Sequence, residues 1–207
     1  MIAEGQFPPS VVIREIDLVR EFDMSRTPVR EALHRLEGEG LIRRIAPGGF
    51  VAVELGPKEL VDIYAVREVL VGLAARLAAV NRSRVDLAHI EDALEGLERA
   101  CAAGKEQEAD DFVRAFFHAL TAASGNDYLR ATLGRLTDLF RYKALAVTHP
   151  EWRDELGSAH HALVKAIADQ DPETAERIGR DLIARSLAIR LAVFGDAEQL
   201  QVRTRGA

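Results

Sequence analysis

A helix is predicted over residues 26–37, because its apolar residues recur at the spacing i, i+3, i+4, i+7 that marks one side of a helix. Thr27 can cap this helix, and Pro28 suits its first turn, where a missing backbone N–H costs nothing. Gly38 and Gly40 predict its end. The apolar side consists of Val29, Ala32, Leu33 and Leu36.

The segments on either side of this helix complete a small domain. A shorter helix is predicted over Arg14–Phe22, with a tight turn between the two helices. Two short strands are predicted over Leu41–Ile45 and Phe50–Val53, around a hairpin rich in proline and glycine. Two helices, a turn and a hairpin predict a winged helix-turn-helix over residues 1–55.

The pattern changes after Gly56 and Pro57 to long amphipathic helices joined by short breaks. Short connections between long helices favour antiparallel neighbours in a bundle, so we expect a helical domain over residues 58–196 and a tail over 197–207. The fold class is therefore mainly α, with a two-stranded wing. The six predicted helices are Lys58–Ala79, Asp86–Ala103, Glu106–Ser124, Asp127–Val147, Glu151–Asp169 and Pro172–Phe194.

Composition narrows the class of protein only a little. The chain has 207 residues, a formal charge of −6 and a single cysteine, Cys101, so an intramolecular disulfide is excluded. No apolar run approaches the ~20 residues of a membrane span. The first ten residues lack the basic start of a signal peptide. We expect a cytoplasmic protein.

One segment of the chain is basic, although the chain as a whole is acidic. Residues 24–53 contain five arginines and three glutamates. Arg26, Arg30 and His34 are spaced by four, so they share a side of the predicted helix that its apolar residues do not occupy. One helix fits the major groove of DNA, and arginine suits forked contacts with guanine and phosphate. Gly48 and Gly49 would leave a slim wing tip near the minor groove or the phosphates.

The same residues resemble the signature of GntR-family regulators. The match comprises residues 25–33, which read SRTPVREAL, then Leu36, and then residues 39–42, which read EGLI. The resemblance implies DNA contacts at Arg26, Thr27 and Arg30, with Gly48 and Gly49 at the wing. The family has a further helix before residue 2, so we expect either a start codon placed too late or a winged domain without that helix.

The second domain resembles the FadR-type C-terminal domain, or FCD domain. The resemblance implies a homodimer and a helical bundle around a cavity that binds a small effector such as an organic acid. The matching stretches are residues 64–70, 73–79, 123–126 and 161–171.

Many members of that branch hold a metal with one Asp and three His. Counted from residues 123–126, the resemblance places these ligands at Val113, Phe117, His161 and Leu182, three of which are apolar. His118 lies one position past the expected ligand, about 100° around the helix. We therefore expect no metal cofactor.

Three interpretations of the cavity stay open. An acid effector would need Arg67 or another buried cation, with His161 as a second contact. A larger, hydrophobic effector is equally compatible with the loss of the metal. The cavity could instead have closed around Val113, Phe117 and Leu182, leaving a domain that only dimerises.

The sequence thus favours a ligand-responsive transcription regulator, expected to be a repressor, that binds a palindromic operator as a homodimer. The alternative is a dimeric helical interaction module whose winged domain no longer binds DNA. An enzyme is not expected, because the chain has no phosphate loop, no nucleophile elbow and no complete set of metal ligands.

Overall fold

A computed structural model gives the fold of the chain. It describes residues 11–38, 40, 42–46, 48–53, 56–138 and 153–205, with side chains up to residue 192. The chain divides into two compact units at Gly56–Pro57. Eight α-helices and two strands lie within the described residues. This confirms a mainly helical fold with a two-stranded wing; the helix expected before residue 2 would lie outside the described residues.

The first unit consists of two helices and a hairpin. Helix α1 spans Glu15–Glu21 and helix α2 spans Arg26–Gly38. Strands β1 (Ile42–Arg44) and β2 (Phe50–Ala52) pair antiparallel, with Arg43 opposite Val51. An isolated bridge joins Ile13 to Phe50 and adds the chain before α1 to the same sheet. The core of the unit consists of Ile13, Val29, Leu33, Ile42 and Phe50, with Leu18, Val19 and Leu36 packed against it.

Helix α2 begins at the predicted residue, but Thr27 does not have its predicted role. Because the helix begins at Arg26, Thr27 lies within the first turn and does not cap the helix. Pro28 also lies in that turn, where its missing N–H leaves no hydrogen bond unmade. Val29 and Leu33 are buried, whereas Ala32 is exposed. The buried side of α2 is therefore narrower than predicted, and more of the helix surface is open to solvent.

The second unit contains six described helices. α4 begins with a capping box, in which the Ser83 hydroxyl accepts from the Asp86 N–H and the Asp86 carboxylate accepts from the Ser83 N–H. The helices are α3 (Pro57–Asn81), α4 (Arg84–Ala102), α5 (Glu106–Ala123), α6 (Asp127–Asp138), α7 (Arg153–Ala168) and α8 (Pro172–Arg205).

The last helix continues beyond its predicted end. It was expected to stop at Phe194, before Gly195, yet residues 197–205 of the expected tail are helical. A single glycine inside a helix costs only about 1 kcal/mol, and good helix formers such as Ala197 and Glu198 follow it. One glycine is therefore too weak a signal to end this helix.

Small residues allow α3 and α8 to cross at close range. A Cβ atom at Gly179 would lie 3.2 Å from the Ala75 Cβ and 3.3 Å from the Val71 carbonyl oxygen. A Cβ atom at Gly72 would lie 2.6 Å from the Arg180 Cγ and 3.2 Å from the Glu176 carbonyl oxygen. Backbone atoms cannot move aside as a side-chain tip can, so the two glycines set the distance between these helices.

Gly179→Val should destabilise the protein by about 1–3 kcal/mol, because the added methyl groups overpack the crossing. Urea unfolding followed by circular dichroism measures this change. Gly134→Ala is the matched control, since a Cβ atom there has its first neighbour at 3.9 Å. The control should stabilise α6 by about 0.5–1 kcal/mol. A Gly179→Val protein as stable as the parent would contradict the close crossing.

Candidate nucleic-acid interface and ligand cavity

The four α2 residues expected to contact DNA all lie on the solvent side of the helix. Arg26, Thr27, Arg30 and His34 are exposed, while Val29 and Leu33 hold a neighbouring side of the helix in the core. The helix therefore presents cationic and polar groups outward from a surface that its own unit anchors.

Arg30 is not simply solvated. Its Nη2 donates to Glu15 Oε1 at 3.0 Å and its Nε donates to Glu15 Oε2 at 3.1 Å, a forked ion pair that joins α2 to α1. These hydrogen bonds lower the pKa of the Glu15 carboxyl below its usual range and raise that of Arg30. Glu15 played no part in the sequence analysis, because a distance of fifteen residues gives no pairing signal.

The neighbouring basic residues on α2 differ in their contacts. Arg26 is exposed and has no hydrogen bond or ion pair among the residues described in this unit, although its charge helps to lower the pKa of the Glu15 carboxyl. His34 Nδ1 lies 3.5 Å from Glu37 Oε2. Arg44 on the wing donates to the same carboxylate at 3.4 Å. Glu37 thus ties the end of α2 to β1.

The two wing glycines have different reasons to be glycine. Both adopt a positive φ, +125° at Gly48 and +137° at Gly49, which disfavours any other residue. A Cβ atom at Gly48 would meet nothing within 4 Å, whereas one at Gly49 would lie 2.8 Å from the Val12 Cγ1. Gly48 therefore forms an open tip, and Gly49 lets the chain before α1 cross the wing. The same crossing places Arg14, which sequence reasoning missed, beside the wing.

The second unit contains an open cavity of about 440 Å³, within the range of small-molecule sites. Arg67, Val113, Phe117 and His161 line it, as four of the five residues proposed for the effector pocket. The cavity is therefore open beside Val113 and Phe117 and has not closed around them.

Leu182 is the exception among the five residues. It is buried in the helix packing and does not line the cavity, whereas Ile183, Ser186 and Arg190 do. Successive residues of a helix point about 100° apart. An alignment that identifies the right helix can therefore select a residue that does not face the cavity. The spacing of 183, 186 and 190 is the helical signal that could have found these residues.

Arg67 is the most deeply buried charged residue described in the unit, at 1% exposure. Its guanidinium carbon lies 5.1 Å from the centre of the Tyr64 ring and 5.3 Å from that of Phe117. Aromatic faces stabilise a cation at this range. The Arg67 guanidinium therefore lies against two aromatic rings of the cavity wall.

The interior histidine of α7 is His160, and His161 is its exposed neighbour. His161 Nε2 lies 2.5 Å from Glu98 Oε1 at the cavity rim. His160 is buried, lines the cavity, packs edge-on against Phe116 and has its Nδ1 2.7 Å from the Leu156 carbonyl oxygen. Both histidines line the cavity. The sequence analysis chose His161 and missed His160, because adjacent helical residues diverge and the sequence does not show which one faces the interior.

The positions expected for a metal do not form a metal site. Val113 and Phe117 present apolar groups to the cavity, and Leu182 lies away from it. His118 is exposed and lies near Gly134 on α6. Throughout the described ranges, no three His, Cys, Asp or Glu side chains lie close enough to share an ion. The donor set therefore does not fit the metal that the resemblance implies.

No helix in the described part of the chain is long and apolar enough to cross a membrane.

Comparison with known proteins identifies both units. Residues 1–51 match the family described as bacterial regulatory proteins of the gntR family, and residues 62–185 match the FCD domain. The chain is 30% identical over 179 residues to a Paenarthrobacter nicotinovorans protein named "Probable D-xylose utilization operon transcriptional repressor", covering 84% of this chain and 77% of that protein. It is 26% identical over 189 residues to the Escherichia coli transcriptional regulator McbR, covering 89% and 85%.

A solved structure shows the same architecture. The structure of E. coli McbR/YncC superposes with a TM-score of 0.80 at 25% identity, covering 93% of this chain and 92% of that one. Sequence and fold agree over both units. The chain belongs to the GntR family of DNA-binding transcriptional regulators, with a C-terminal FCD effector-binding domain.

Proposed function

We propose that this protein acts in the cytoplasm as a homodimeric repressor that binds a palindromic operator and responds to a small molecule in the cavity. A repressor role is also what the name of the Paenarthrobacter relative states for that protein. The protein carries out no reaction of its own. The observation that carries the proposal is the outward cationic surface of α2 on a helix whose aliphatic side is anchored in its own core.

The geometry of α2 suits the major groove. A groove about 12 Å wide admits one helix, and arginine side chains can reach base edges from it. Arg26 and Arg30 are the proposed base contacts, with Thr27 and His34 on the same exposed surface. Gly48 at the open wing tip and Arg14 beside the wing would approach the phosphates, which set position and not sequence.

Arg30 must change partners for this to happen. In the free protein its guanidinium is held by Glu15, and both prongs of the fork are occupied. Binding DNA would replace one carboxylate by an acceptor on a base or a phosphate. Glu15 is exposed enough to be rehydrated when it is released, so the exchange involves no deeply buried charge.

Arg26→Ala and Arg30→Ala should each weaken binding to the operator by about tenfold or more, since each removes a forked contact to a base. Electrophoretic mobility shift with the DNA upstream of the protein's own gene measures this. Arg35→Ala is the charge-matched control, because residue 35 lies about 180° around α2 from residue 26.

Glu15→Gln tests how far the ion pair with Glu15 limits DNA binding by Arg30. Without the carboxylate, Arg30 should bind random DNA about two- to fivefold more tightly, the strength of an exposed ion pair. Equal losses in the Arg26, Arg30 and Arg35 variants would refute the assigned surface. No specific, salt-dependent binding by the parent protein would favour a helical interaction module instead.

A stripe of exposed apolar residues on α3 is the proposed dimer surface. Val66, Val69, Leu73 and Val80 are 49%, 48%, 38% and 57% exposed, respectively. They recur at intervals of three, four and seven residues, so they lie along one side of the helix, while other residues of α3 pack against α8. A surface of this kind is self-complementary about a two-fold axis, as a closed dimer needs.

Val69→Glu should convert the dimer to a monomer, because it places two carboxylates in an apolar contact. Sedimentation velocity measures the state of association. Val85→Glu is the control, since Val85 is 63% exposed on α4, away from the stripe. A dimer that survives the change at residue 69 would show that another surface joins the chains.

The effector domain is proposed to work without a transition metal. Protein purified without a metal-affinity tag should contain far less than one zinc, nickel or manganese ion per chain, because Val113 and Phe117 supply no donor atoms. Elemental analysis by plasma mass spectrometry measures the content. One equivalent of any of the three metals would contradict the proposal.

A further inference from the structure

The ligand cavity has an apolar body. Its walls include Leu94, Leu97, Val113, Phe117, Leu156 and Ile183. Such walls offer water few hydrogen bonds, whereas the transfer of a hydrocarbon chain or ring from solvent to the cavity is favourable. The larger part of a matching ligand is therefore apolar.

Among the described residues that line the cavity, cations outnumber carboxylates. Arg67, Arg153 and Arg190 face the cavity, against Glu98 and Asp154. Glu98 has a contact of its own at the rim, where His161 Nε2 lies 2.5 Å away. Arg190 donates from Nε to the Tyr64 hydroxyl at 2.6 Å, which fixes the plane of its guanidinium at the wall. A planar fork in partly buried surroundings suits a carboxylate.

His160 adds a requirement of the opposite kind. A carbonyl oxygen only accepts hydrogen bonds, so the 2.7 Å contact with Leu156 places the proton of the ring on Nδ1. Burial lowers the pKa of the imidazole, which favours its neutral form. The Nε2 atom is then an acceptor, and among the described residues the ring's other contact is the edge-on packing against Phe116.

We propose that the cavity binds an apolar monocarboxylic acid that carries a hydroxyl group, with the carboxylate on Arg153 and Arg190 and the hydroxyl donating to His160 Nε2. The inference rests on the proposed function in taking the cavity as the effector site. In this mode of binding, side chains of the protein contact both polar groups of the ligand, and no metal ion holds the acid.

Isothermal titration calorimetry with matched probes tests the ligand class. The probes are octanoate against 3-hydroxyoctanoate, and benzoate against 3-hydroxybenzoate, with 3-hydroxybenzyl alcohol as the uncharged control. At least one hydroxy acid should bind about tenfold more tightly than its unsubstituted partner, the effect of one well-made hydrogen bond. The alcohol should bind about tenfold more weakly than the corresponding hydroxy acid.

Variants of the protein test which residues bind the carboxylate and which bind the hydroxyl of the ligand. His160→Leu should abolish the preference for the hydroxyl, whereas His160→Gln, which keeps an acceptor, should retain most of it. Arg153→Met combined with Arg190→Met should weaken both acids of a pair about tenfold or more without affecting the alcohol. Arg185→Met is the matched control, because Arg185 is an exposed arginine of α8 that pairs with Glu155 and does not line the cavity.

Equal affinity for both members of each pair, an unchanged preference in His160→Leu, or no binding of any acid would overturn the proposal. Calorimetry uses the full chain without DNA, so its outcome is separate from that of the mobility shift. Specific DNA binding without acid binding would refute the ligand alone, and acid binding without DNA binding would refute the regulator alone.

Discussion

The close crossing of α3 and α8 is the interaction on which the effector domain depends. Gly72 and Gly179 let the two backbones approach until a methyl group at either position would crowd the facing helix. That contact carries Tyr64 and Arg67 on one helix and Ile183 and Arg190 on the other to the same cavity. The hydrogen bond from Arg190 to the Tyr64 hydroxyl spans the gap between them. The cavity thus lies beside this crossing, where small residues allow the two helices to approach closely.

Helical register explains which parts of the molecule could be predicted from the sequence. The apolar spacing and the turn residues sufficed for the two-unit fold, for the wing and for α2, because these are local signals. Cavity residues depend on which side of a helix faces inward, and a slip of one residue changes that. His160 and Ile183 were missed in this way, each beside the residue that was chosen. Contacts between distant residues, such as that of Glu15 with Arg30, have no local signal at all.

The same contact gives the DNA-binding surface a property that its composition does not suggest. A row of arginines on an acidic protein looks like a plain electrostatic patch. With Glu15 on Arg30 and Glu37 between His34 and Arg44, much of the positive charge is already compensated inside the unit. A group on the DNA therefore adds to the binding affinity only where it displaces one of these carboxylates from its basic partner. Forked hydrogen bonds to a base do so better than a phosphate at a distance, so compensation of this kind favours sequence discrimination over general attraction.

The cavity shows how one recognition chemistry can stand in for another. A metal grips a carboxylate through coordination, and it needs several donor side chains around one point. Here apolar groups occupy two of those points, while the positive charge of the cavity lies on arginines spread over three helices. A delocalised guanidinium stays charged and donates directional hydrogen bonds, but it has no lone pair to accept the proton of a ligand hydroxyl. That second task requires a separate acceptor, and a neutral histidine fixed by a backbone carbonyl supplies it.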